Sequence, residues 1–212
     1  MNKVTYTVHE MNNTDREESL TLEILETIEN NSEVTQRRLA TQLDVALGLT
    51  NAYLKRCIKK GLVKVHQIPS NRYLYYLTPK GFREKSRLTA QYLSASFDFY
   101  RRASQSCEKV FQECKNKHFQ NILLYGVSEL AEIASLRAKE QDINIIGVLS
   151  RNYQNEYFIG LPVWSSLDDV PDFDACVITD LQNENEALII LQSLGISKNT
   201  VLSPDLLSRR NS

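Results

Sequence analysis

Between Thr35 and Gly81 the chain reads TQRRLATQLDVALGLTNAYLKRCIKKGLVKVHQIPSNRYLYYLTPKG, an order of signals that few folds accommodate. Thr35 is a helix-capping residue, and Leu39, Ala40 and Leu43 then share one helical face. Val45 and Ala46 make a turn. A further helix is predicted from Leu47 to about Lys60, with Thr50, Leu54 and Ile58 facing inward and Gly61 closing it. Strands at 63–66 and 72–77 follow, around a polar tip at 68–71. Upstream, Leu20, Leu22, Ile24, Leu25 and Ile28 repeat at helical spacing, so residues 17–30 form a first helix that Asn30 and Asn31 stop. Three helices and a β-ribbon in this order make a winged helix-turn-helix over residues 17–78.

Charge is concentrated in the same stretch. Residues 35–87 hold 12 Lys and Arg against two acids, Asp44 and Glu84, a net of +10 in a chain whose total is only -1. The flanks are acidic, at -6 over residues 1–34 and -7 over 119–212. One basic module in a near-neutral chain has a face suited to a polyanion, and double-stranded DNA is the expected partner. On the helix from Leu47, the outer face is Gly48, Asn51, Ala52, Lys55 and Lys59, with Arg56 beside it. Asn51 has the donor–acceptor pair that reads adenine, Gly48 and Ala52 allow close approach to the groove, and Lys55, Arg56 and Lys59 suit phosphates. Thr35, Gln36 and Arg37 open the preceding helix, where a backbone phosphate fits, and Arg72 on the wing suits the minor groove or a phosphate.

Residues 79–118 read as one long connecting helix. Pro79 suits its first turn, and Phe82, Leu88, Tyr92, Leu93, Phe97, Tyr100, Val110 and Phe111 recur at roughly helical spacing. Two readings follow: a homodimerisation stalk that spaces two recognition helices, or a helix folded back on its own C-terminal domain. The four cysteines, Cys57, Cys107, Cys114 and Cys176, form no C-x-x-C pair and are expected to be reduced and mostly buried. Cys107 and Cys114 share a helix face, where a partner helix in a dimer would meet them.

From Asn121 the texture becomes strand–helix alternation: NILLYG, VSELAEIASLRAKEQ, INIIGVLS, a short strand within YFIGLPVW, DACVITD, NEALIILQSLG and NTVLS. This predicts a small Rossmann-like parallel sheet over residues 119–207 and an α/β class for the whole chain. Gly126, Val127, Ser128 and Glu129 form its first turn, with Arg151 after the second strand and Thr179 and Asp180 after a later one. These are the candidate ligand-binding residues. Ser128 replaces the second glycine of the dinucleotide fingerprint, and the acid expected about 20 residues on is missing, so a standard NAD site is not expected.

No G-x-S-x-G elbow, Walker lysine or defensible acid–base pair is present, and no catalytic residue is assigned. His9, His66 and His118 match no metal-ligand spacing. Apolar runs such as Ala187–Leu191 are too short for a bilayer and the N-terminus lacks a signal-peptide core, so a cytoplasmic location is expected.

The segments TQRRLATQLDV, LTNAYLKRCIKKGLVKV and YYLTPKGFREKSRLTAQYL resemble MarR-type winged helices, most closely regulators associated with bacterial exopolysaccharide and capsule loci. L-T-P-K-G before a long polar helix is the most specific element. Asp44 stands where that group commonly has a turn glycine, and Thr50 where it has valine. LLYGVSELAEIA, IIGVLS, FIGLPVWSSLDDV and DACVITD resemble the CoA-binding-like, nucleotide-sugar-binding domains of sugar acetyltransferases, and also redox-sensing repressors. The resemblance implies a dimeric, sequence-specific transcription regulator whose second domain senses a nucleotide sugar or related phosphorylated metabolite. NAD(H) sensing and a purely structural second domain are the alternatives.

Overall fold

The computed structural model describes residues 13–69, 72–182 and 184–208. The elements run α1 (Asn13–Asn30), α2 (Gln36–Leu43), α3 (Leu47–Lys59), β1 (Val63–Ile68), β2 (Arg72–Leu77), α4 (Pro79–Asn116), β3 (Asn121–Tyr125), α5 (Glu129–Glu140), β4 (Asn144–Leu149), β5 (Tyr157–Phe158), β6 (Leu161–Trp164), β7 (Ala175–Ile178), α6 (Glu184–Ser193), β8 (Val201–Leu202) and α7 (Asp205–Ser208). They fall into two compact units that divide within α4, between Ala95 and Ser96.

In the first unit, Ile24, Leu25 and Ile28 of α1 pack with Leu39 and Leu43 of α2, Leu54 and Cys57 of α3, and Tyr75 of β2. Cys57, rather than Ile58, takes the third inward place on α3, because Thr50, Leu54 and Cys57 follow i, i+4, i+7 spacing. Helix α1 starts at Asn13, four residues before the start at 17 expected from its apolar pattern. Asp44 closes α2 in the left-handed region at φ 51°, a conformation glycine adopts most readily and Asp or Asn next. Its short side chain tolerates that region, and Asp44→Gly is expected to shift stability by less than about 1 kcal/mol in thermal unfolding.

At the end of α3, the Gly61 N–H donates to Ile58 and the Leu62 N–H to Cys57, the paired bonds of a Schellman stop. The LTPKG segment then clasps this stop. Thr78 donates through its N–H to the Leu62 carbonyl (3.0 Å) and through its hydroxyl to the Gly61 carbonyl (2.7 Å). The same hydroxyl caps α4 by accepting from the Gly81 N–H at 3.0 Å, and Lys80 Nζ donates to the Lys60 carbonyl at 2.9 Å. Gly81 lies against Leu62: a Cβ there would sit 2.1 Å from the Leu62 carbonyl oxygen. The motif fixes where α4 begins relative to α3.

The second unit is a six-stranded sheet of order β5-β6-β4-β3-β7-β8. Strands β6, β4, β3, β7 and β8 pair in parallel. The edge strand β5 is antiparallel to β6, a departure from the all-parallel expectation. Its cause is local, since only Ile159 and Gly160 join the two strands, and a two-residue turn returns the chain antiparallel. The core draws Ile122–Tyr125 from β3 and Ala175–Ile178 from β7, with Leu130, Ala131 and Ala134 from α5.

The last third of α4 belongs to this core through Ala103, Cys107, Val110, Phe111 and Cys114. Cys107 and Cys114 therefore face their own sheet, with 1% and 0% exposure, and are not available to a partner helix. All four cysteines are free and buried. Burial pushes the Cys57 thiol up to about 11 and those of Cys107 and Cys114 up to about 12, which leaves them unreactive at neutral pH. Among the described residues no helix is long and apolar enough to cross a membrane.

Candidate nucleic-acid interface

Helix geometry sorts the outer residues of α3. At about 100° per residue, Gly48, Ala52, Lys55 and Lys59 fall within roughly 60° of one another, opposite Thr50, Leu54 and Cys57. All four are exposed. The space beside Gly48 is open, so small side chains at 48 and 52 flank two lysines on a face free to enter a groove. Asn51 and Arg56 sit on opposite flanks, each roughly 70° from the centre of this stripe.

Asn51 is half-buried, and its Oδ1 is enclosed without a hydrogen-bond partner among the described residues. Reading adenine needs both ends of the amide, so the side chain has to rotate outward before it does so. Arg56 turns toward α1: its Nη1 lies 3.1 Å from Glu17, and its guanidinium stacks 5.2 Å from the centre of the Tyr53 ring. Lys60 shares the same carboxylate at 3.3 Å. Arg72 is exposed at the start of β2 and pairs with Glu33 at 2.9 Å, while Ser70 and Asn71 of the expected wing tip lie outside the described residues.

Thr35 caps α2 by accepting from the Arg38 N–H, and Gln36 donates to the Tyr75 hydroxyl at 3.2 Å, linking α2 to the wing. Arg37 and Arg38 are exposed with Thr41 and Gln42 on the outer side of α2. Among the described residues of α2, α3 and β1, the cations without an ion pair are Arg37, Arg38, Lys55, Lys59 and Lys64. Arg38 and Lys64 are exposed cations of this module although neither is among the residues expected from the sequence. The signal for Lys64 is strand alternation, which turns it outward beside the buried Val63.

Residues 18–64 match a family described as winged helix-turn-helix DNA-binding. The N-terminal module is a winged helix-turn-helix of DNA-binding type. No curated protein matches the chain in sequence. Among solved structures, human N-acetylserotonin methyltransferase in complex with SAM aligns over 96% of this chain and 81% of its own, at 11% identity and a TM-score of 0.37. PigF with SAH aligns over 89% and 70%, at 13% identity and a TM-score of 0.30. Likeness of that degree carries no argument about activity.

The second unit brings its candidate residues together at the carboxyl ends of β3 and β7, where the strand order reverses. There the turn after β3 packs against the segment that follows β7. Gly126 has φ 99°, and a Cβ on it would lie 2.8 Å from the Asp180 backbone, so the close approach of the segment after β7 by itself requires glycine here. Thr179, fully buried, donates to the Gly126 carbonyl at 2.6 Å and the Tyr125 carbonyl at 3.0 Å.

Ser128 accepts from the N–H groups of Leu130 and Ala131, the donors a phosphate would need, and donates to the Thr179 carbonyl at 2.5 Å. Val127 packs on the core. Burial, then Asp180, push the Tyr125 phenol up, with exposed Arg151 opposing. Ser128→Ala is expected to lower stability by about 1–2 kcal/mol in denaturant unfolding, through loss of the cap and of the bond to Thr179.

Proposed function

We propose that this chain is a sequence-specific DNA-binding transcription regulator that acts as a homodimer through the 79–118 helix. The observation that carries DNA binding is the exposed stripe of Gly48, Ala52, Lys55 and Lys59 on α3, in a module whose Arg37, Arg38 and Lys64 are also exposed and have no ion pair to any described residue. Lys55 and Lys59 reach phosphates or base edges, Arg37 and Arg38 hold the backbone across the groove, and Lys64 does so from the wing. Asn51, once rotated outward, reads one A·T pair, and Asn51→Ala relaxes discrimination there by about 1–3 kcal/mol, measured by anisotropy on single-substituted sites. Surface-polysaccharide genes are the proposed targets, on the strength of the LTPKG resemblance.

Support for the dimer comes from apolar side chains that α4 leaves uncovered: Tyr92 and Leu93 are each 47% exposed, Phe97 59% and Tyr100 41%. Single large apolar groups on a surface are ordinary, but four within nine residues of one helix are a patch. Phe97→Asp is expected to halve the sedimentation mass and weaken binding to a two-half-site duplex. An unchanged dimer would remove α4 as the interface.

Three readings of the second unit are open: a nucleotide-sugar sensor, an NAD(H) sensor and a structural support. The filled turn at Gly126 favours the third, since a phosphate there must first displace the Ser128 cap. Millimolar UDP-sugars or NADH are therefore expected to leave both thermal midpoint and DNA affinity unchanged. A ligand-dependent rise in the midpoint would restore the sensor reading.

A further inference from the structure

We infer that Glu17 is a positioning residue that confines DNA contact to the α3 stripe by holding Arg56 and Lys60 against α1. This rests on the DNA-binding reading above and extends it to how the contact face is delimited. The acidity of α1 is otherwise unexplained. Its carboxylates, with Glu33 just after it, are distributed over the basic residues of later elements: Glu17 on Arg56 and Lys60, Glu18 on Arg87, Glu29 on Lys85, Glu33 on Arg72.

Only one of these groups touches α3, and it takes Arg56 on the flank of the stripe and Lys60 at the helix's end, while Lys55 and Lys59 have no ion pair to any described residue. Arg56 is turned away three times over: by its place on the helix, by Glu17 and by the Tyr53 ring. Because backbone contacts by flexible cations carry no sequence information, withdrawing two of them lowers affinity for all DNA and leaves binding more dependent on the groove-facing residues.

The test compares Glu17→Gln with Glu26→Gln, using anisotropy on a fluorescent duplex of about 30 base pairs of random sequence across a salt series. Both variants raise the net charge by one, but Glu26 lies on α1 with no ion pair to any described residue. Glu17→Gln is expected to tighten binding and steepen the salt dependence by about one unit of slope per recovered phosphate contact, one or two in all. Each contact appears as a roughly threefold greater loss of affinity between 50 and 200 mM salt.

Glu26→Gln is expected to leave the slope unchanged. Arg56→Ala costs little in the parent and removes the Arg56 share of the gain in the Glu17→Gln background, the remainder belonging to Lys60. Equal slopes for Glu17→Gln and Glu26→Gln, with the parent binding DNA, overturn the inference and leave the DNA-binding reading intact. A parent that binds no duplex at low salt overturns both.

Discussion

Gly81→Ala is expected to destabilise the N-terminal unit by about 3 kcal/mol, seen as a fall of more than about ten degrees in its thermal midpoint. Helix propensity alone predicts the opposite sign, because alanine in a helix is favoured over glycine by about 1 kcal/mol. The decisive quantity is the 2.1 Å that would separate the new Cβ from the Leu62 carbonyl oxygen. That oxygen belongs to backbone, so no side-chain rotation relieves the overlap. Either α4 lifts from the end of α3 or the α3 stop is pushed back. Both movements break the bonds from Thr78 to Gly61 and Leu62 and from Lys80 to Lys60. A change of less than about 1 kcal/mol would mean that α4 is not seated on Leu62.

Replacing Lys55 and Lys59 together by alanine is expected to weaken binding to any duplex by about tenfold or more at low salt and to flatten the salt slope by about two units. Both lysines lie on the exposed stripe, and no described residue pairs with either to compete with phosphate. Alanine is a good helix former at exposed positions, and stability should change by less than about 0.5 kcal/mol. Loss of binding with stability intact is therefore a statement about the face and not about the fold. If the double variant binds as the parent does, α3 is not the recognition helix and the module docks by another surface.

Much of the candidate interface is legible in the amino-acid pattern. Apolar residues at i, i+3 and i+4 set the inward side of α3, and the outward side follows by subtraction, which is enough to single out Gly48, Ala52, Lys55 and Lys59. Asn51 and Arg56 are harder, because a flank residue is decided by what lies beside it. The enclosed Oδ1 of Asn51 and the pairing of Arg56 with Glu17, 39 residues away, are properties of packing. At the Gly126 turn, the missing second glycine argues against a dinucleotide on sequence grounds. That the turn is packed against Asp180, just past the end of β7 and more than 50 positions on, is not readable from local pattern.

By itself the sequence determined the order and kind of elements, the basic character of one module and the stop at Gly61, because periodicity, caps and charge runs act over a few neighbouring residues. Tertiary structure alone decided which cations pair with the carboxylates of α1, which way Cys107 and Cys114 face and what packs against the Gly126 turn. Those outcomes depend on pairings between distant segments, and a carboxylate or a backbone carries no local mark of the residue it will meet.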